Sequence, residues 1–172
     1  MSINQLSNQL LNNVYPELKR IASAQLAKEQ ANHTLCPTEL VNETYLKIER
    51  NNAFSFNDKQ HFIALCGRNI RQVLVDYARK KRRIKRGSGQ QAITLKNHMG
   101  QVEADVEHDL LELNELLNNL ETIDPIQASI IEMRFFSGLT VEEIANELGI
   151  SVSSVKRKWT LGRAWLYREM NS

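Results

Sequence analysis

Apolar residues recur every three or four positions through most of this chain, and strict apolar/polar alternation is scarce, so the pattern predicts helices rather than strands. Leu6, Leu10, Leu11, Val14, Leu18, Ile21 and Leu26 keep a helical period across residues 4 to 29. Pro37 and Thr38 open a second segment, in which Leu40, Val41, Tyr45 and Ile48 face inward and Glu39, Asn42, Glu43 and Glu49 face out. The polar stretch NNAFSFNDK follows; Phe54 and Phe56 either anchor a helix connection or offer a ring to an unstacked base. From His61 to about Lys80, Phe62, Cys66, Val73 and Tyr77, with Ile70 and Leu74 beside them, keep one apolar face. That periodicity predicts that Arg68, Arg71, Gln72, Arg79 and Lys80 project outward. Leucines at 110, 111, 113, 116 and 117 mark a further helix with a solvated acidic face.

The C-terminal pattern is more specific. In LTVEEIANELGISVSSVKRKWTLGRAWL, Thr140 can cap a helix and Glu143 completes a capping box. Ile144, Ala145 and Leu148 form its apolar face, Gly149 allows a positive φ after it, and Ser151 can cap the next helix. There, Val152, Val155, Trp159 and Leu166 share a narrow arc, with Ser153, Ser154, Lys156, Arg157 and Lys158 opposite or beside it. Two helices joined by a tight turn, with a basic outer face, read as a DNA-binding helix-turn-helix, the alternative being an ordinary amphipathic hairpin with a solvated basic face. The face offers hydroxyl donors, a guanidinium that can fork onto guanine, and ammonium groups for phosphates. Gly162 falls on the inner arc, where glycine costs about 1 kcal/mol relative to alanine, so a close helix approach is expected there.

Charge divides the chain more sharply than its net of +2 suggests. Residues 1 to 66 are balanced, whereas 67 to 96 carry ten basic groups against Asp76 alone. Residues 97 to 133 contain no Lys or Arg and nine acids, and 134 to 172 have a small basic excess. A polyanion suits the basic helix, through phosphate neutralisation and counterion release. The adjoining acidic block allows two readings: the segment from Glu103 to Glu121 lies against the basic helix from Arg68 to Arg86 and masks it until polymerase separates the domains, or it is a solvated linker whose acidity keeps it off DNA or helps it traverse a basic polymerase channel.

Other chemistry finds little support. No apolar run is long enough to span a bilayer, and MSINQLSNQLLNNVY lacks the regions of a signal peptide, so cytoplasmic residence is expected. Cys36 and Cys66 have no zinc-ligand spacing and read as small core residues. His33, His61, His98 and His108 are scattered, and neither a nucleophile-base pairing nor a phosphate loop occurs. No enzyme activity, cofactor or metal is expected. A response-regulator-type transcriptional regulator would share the helix-turn-helix, but residues 1 to 90 show no alternating strand-helix pattern. A metal-dependent nuclease would have to use acids that read as a solvated helix face.

In order and spacing, three segments together resemble the sigma factors of bacterial RNA polymerase, of the small extracytoplasmic-function (ECF) type. PTELVNETYLKI is similar to the segment that docks on the polymerase clamp helices. HFIALCGRNIRQVLVDYARKKRRIKRG resembles the promoter-melting and −10-reading segment, and IIEMRFFSGLTVEEIANELGISVSSVKRKWTLGRAWL the −35-reading domain. The resemblance implies an all-α fold of two small helical domains, residues 1–88 and 109–172, joined by a flexible acidic linker over 89–108. It implies polymerase contacts at Glu39, Asn42 and Glu43, and a flipped-base pocket in the 51-to-59 loop, including Phe56 and Asn57. Contacts to the −10 strands fall to Arg68, Arg71, Gln72, Arg79, Lys80, Arg82 and Arg83, and −35 readout to Ser153, Ser154, Lys156, Arg157 and Lys158. The partners implied are core RNA polymerase through its clamp helices and flap, promoter DNA and, optionally, an anti-sigma factor. Lys158 and Thr160 stand where relatives often have an acid and an arginine, so the resemblance does not specify the preferred −35 sequence.

Overall fold

The computed structural model describes Pro16, Lys19, Arg20, Ala22 and Ser23 together with residues 36–50, 58–87 and 98–172, with backbone alone at 49, 85–87 and 98–109. All regular structure among the described residues is helical, so the fold is all-α. Among the described residues the α-helices with defined bounds are, in order, α1 (Pro37–Arg50), α2 (Lys59–Gly87), α3 (His98–Ile123), α4 (Pro125–Glu132), α5 (Val141–Leu148) and α6 (Val152–Met170), and Pro16, Lys19, Arg20, Ala22 and Ser23 are also helical. A π-helical turn, Met133–Ser137, extends α4.

Local chemistry accounts for most boundaries. At α1 the Glu39 carboxylate accepts from the Cys36 N–H at 2.8 Å, half of a capping box. Asp58 accepts from the His61 N–H at 2.8 Å and starts α2. Asp124, in extended conformation, accepts from the Gln127 N–H at 2.9 Å, and Pro125 fills the first turn of α4, where its missing N–H costs nothing. The π-turn ends on Gly138 at φ 69°, a left-handed position suited to glycine.

Helical backbone begins at His98, so the later residues of the expected linker are helix; 88–97 lie outside the described residues. Helix-forming Glu, Leu and Ala dominate from 102 onward without a proline, and buried Leu117 and Leu120 tie the helix to the core. Most of the N-terminal helical segment, and the 51-to-57 part of the loop with Phe54, Phe56 and Asn57, also lie outside.

The core runs along α2. Leu40, Val41 and Ile48 of α1 pack with Phe62, Cys66, Ile70 and Leu74 on one side of α2. A second side of α2 meets the π-turn, α3 and α5. Buried residues from both halves thus form one continuous cluster, with Leu117, Ile130, Phe136, Ile144 and Val155 on the C-terminal side.

Candidate nucleic-acid and polymerase interface

The two C-terminal helices are built as the motif requires. Thr140 Oγ1 accepts from the Glu143 N–H at 3.2 Å while the Glu143 carboxylate accepts from the Thr140 N–H at 2.7 Å, closing the expected box. Gly149 takes φ 63° at the end of α5, and Ser151 Oγ accepts from the Ser154 N–H at 3.2 Å to start α6. Val155 and Leu166 are buried, with Val152 and Trp159 half-buried beside them. Gly162 is an approach point, since a Cβ there would stand 2.9 Å from Ile131 Cδ1.

On the outer face, Ser153, Lys156 and Arg157 are exposed and Ser154 is half-buried. Ser151, Ser153 and Ser154 share a hydroxyl cluster, at 3.0 and 2.9 Å from Ser151 Oγ. Lys158 is placed differently. Its ammonium pairs with Asp124, and its carbonyl accepts from Gln127 Nε2 at 2.8 Å, which ties α6 to the start of α4. That ion pair holds the Asp124 carboxyl below its ordinary range, with the Gln127 N–H contributing next. Two guanidinium groups stand over the Trp159 ring, Arg134 at 5.9 Å and Arg163 at 5.5 Å from its centroid. The short α4 and its cap were not anticipated, although Asp-Pro before an apolar run is a helix-start signature.

The basic helix also divides. Arg79, Lys80, Arg82 and Arg83 are exposed, and Gln72 is half-buried. Arg79, Arg82 and Arg83 line a shallow basic recess closed by Leu111 and Glu115 of α3. Arg68 is exposed but pairs with Glu121 at 3.1 Å. Arg71 does not project outward as expected; it is 5% exposed. The expectation assumed one buried face, whereas α2 is buried on two, and Arg71 lies on the second. Its guanidinium pairs with Glu132 at 2.8 Å and donates to Asn114 Oδ1 at 3.2 Å and Asn118 Oδ1 at 3.4 Å. Burial pushes the Glu132 carboxyl up, against the opposing pull of Arg71 and Arg68.

On α1, Glu39, Asn42 and Glu43 are exposed together, as the periodicity required. Between α3, α4 and α6 lies a groove with Leu120, Ile123, Leu161 and Trp165 on its walls and Arg157, Lys158 and Arg168 at its rim. Cys66 is buried as expected, but Cys36 is exposed at the start of α1, because it precedes the first turn rather than facing the core. Both are free thiols. Among the described residues there is no cluster able to hold a metal ion, and no helix is long and apolar enough to cross a membrane.

Exposed basic side chains on a capped two-helix motif, with a basic helix upstream and an acidic-polar helix face before that, follow the same order as one family. The model of the family described as ECF sigma factor matches residues 4–172. The chain belongs to that family. Among curated proteins and among solved structures, nothing matches the chain significantly. As an ECF sigma factor the protein acts in transcription initiation, a role in which family members bind core RNA polymerase and promoter DNA.

Proposed function

We propose that this sigma factor reads a −35 duplex element with α6 and captures −10 single strands with the basic half of α2, the two reading units falling within residues 109–172 and 1–88. The observation that carries the reading is the exposure of Arg157 and Lys156 on a helix whose opposite arc, Val155, Gly162 and Leu166, is buried. Such a helix can enter a major groove with a fork-shaped donor toward base edges and an ammonium toward phosphate. Ser153 and Ser154 at its N-terminus contribute short hydroxyl contacts, and Lys158 supports α6 through Asp124 while remaining close to the backbone path.

Arg79, Lys80, Arg82 and Arg83 supply the density of charge that single strands need. Phe56 and Asn57 hold an extruded base, whose unstacking costs a few kcal/mol that aromatic stacking offsets. Glu39, Asn42 and Glu43 dock on the clamp helices. The groove between α3, α4 and α6 suits an amphipathic segment of the flap. The subunit performs no chemistry of its own, since core polymerase supplies catalysis, and it works in the cytoplasm with an anti-sigma factor as an optional regulator. Co-purification with core RNA polymerase followed by run-off transcription from a promoter library tests this reading. Start sites sharing a −35 and a −10 element support it; a chain that neither binds core nor selects promoters refutes it.

A further inference from the structure

Gly162 and Lys158 both face α4, and base reading explains neither. A Cβ on Gly162 would stand 2.9 Å from Ile131 Cδ1 and 3.2 Å from Gln127 Cγ, so its absence is what admits α4 to this distance. Gln127 uses that closeness: its Nε2 donates to the Lys158 carbonyl at 2.8 Å, one turn before Gly162. The Gln127 N–H donates to Asp124 Oδ1 at 2.9 Å, and Asp124 Oδ2 accepts from the Lys158 ammonium. Four residues thus clamp the start of α4 to the middle of α6.

The clamp has an electrostatic consequence. Lys156 and Arg157 are exposed and have no ion-pair partner among the described residues, whereas the Lys158 side chain is only 25% accessible and its charge is already met. Lys158 follows Arg157 directly and lies one turn beyond Ser154, so it stands at the edge of the reading face, on the rim of the groove that it shares with Arg157. From such an edge a flexible four-carbon stem carries its ammonium to a flanking phosphate. Here the Asp124 carboxylate takes the place of that phosphate, and Gln127 and Gly162 hold the α6 backbone where the two charges meet.

We propose that Asp124 is a positioning residue for −35 recognition that withholds Lys158 from DNA, its carboxylate standing in for a phosphate. The inference rests on the −35 reading above. A phosphate contact fixes a protein on the duplex without carrying sequence information, whereas base-edge contacts carry it. Withholding Lys158 therefore lowers affinity for any duplex and leaves the order of preferred sequences to Arg157 and its neighbours.

Salt dependence separates this role from simple support of the helix, because log Kobs falls with log salt by about 0.9 for each phosphate neutralised. The full chain is titrated, from about 50 to about 200 mM salt, onto a scrambled duplex and onto a −35 duplex selected from a random library with core polymerase bound. Asp124→Asn keeps a capping oxygen and frees Lys158. Its slope should be steeper by about 0.9 on both duplexes, so that it loses about 3.5-fold more affinity than the parent over that range. Asp124→Ser, a cap without charge, should repeat the effect, and adding Lys158→Met to either should return the slope to the parent's. Circular dichroism checks the fold of each variant. A helix merely loosened by lost support would bind more weakly at every salt concentration with an unaltered slope, and that result overturns the proposal. So does a slope that falls by about 0.9 with Lys158→Met alone, since Lys158 would then already lie on a phosphate. A chain that binds neither duplex and selects no sequence with core polymerase overturns the −35 reading and the inference with it, whereas the two preceding results overturn the inference alone.

Discussion

Arg157 and Arg71 show how far a residue's neighbourhood decides its use. Both were expected on outer helix faces, but Arg157 is exposed, whereas Arg71 is enclosed by carboxylate and amide oxygens. For Arg157 the periodicity sufficed, because α6 buries one arc; for Arg71 it did not, because a second buried face is invisible in a single helical pattern. If Arg157 reads a base edge, Arg157→Ala should weaken −35 binding by about 1 to 3 kcal/mol and relax preference at one position. Selection from a randomised −35 library checks this, and an unchanged preferred sequence would remove Arg157 from readout. Thr140 offers a prediction about stability alone. Thr140→Ala removes the acceptor for the Glu143 N–H and should cost about 1 kcal/mol in thermal or urea unfolding.

At the scale of elements, the capped pair α5–α6 was legible because capping box, left-handed glycine and apolar arc are all local signals. The π-turn was not. Met133–Ser137 follows α4 without a break, and its extra residue per turn directs Phe136 and Ser137 inward for packing reasons that only the neighbouring α2 explains. The Asp124–Lys158 pair joins the start of α4 to the middle of α6, thirty-four residues apart in sequence. Because the folded state lowers the Asp124 pKa, its contribution is fully present above the ordinary aspartate value of about 3.9 and is lost as pH falls through the lower folded value. Asp124→Asn keeps a capping oxygen but loses the ion pair, so the parent should be the more stable at neutral pH, by a margin that closes in acid. Urea titrations of both proteins between pH 7 and pH 3 measure that margin, and a constant difference would show that the pair is not the cause. On α1, the exposed trio Glu39, Asn42 and Glu43 is separable from folding. Glu43→Lys should leave stability within about 0.5 kcal/mol yet weaken core polymerase binding. Unchanged affinity would move the clamp contact elsewhere.

For the whole molecule, charge blocks anticipated that the basic helix would meet the acidic segment, but not what holds them. Among the described residues Arg68–Glu121 is one exposed contact of that kind, with side chains 51% and 46% accessible, and such pairs contribute little. The contact between the halves also contains apolar packing, the buried Arg71–Glu132 pair and the Gln60–Glu143 and His61–Glu147 contacts, which sequence charge does not reveal because they depend on several elements meeting along α2. The two explanations predict opposite responses to salt. At 1 M ionic strength the Debye length shrinks to about 3 Å, which removes attraction between exposed blocks but leaves enclosed contacts largely intact. Closure of α2 onto the C-terminal helices by long-range charge would therefore be lost, whereas closure by Gly67–Ser137 packing and Arg71–Glu132 should persist. Fluorescence transfer between labels on exposed positions of α2 and α6, followed from low salt to 1 M, reads the closed population. A closed-to-open ratio that stays within about twofold corresponds to a shift of only about 0.4 kcal/mol and identifies the buried contacts as what holds the halves together. A fall of tenfold or more would assign the closure to the charge blocks, and the apolar contact at Gly67 would then be a consequence of their attraction.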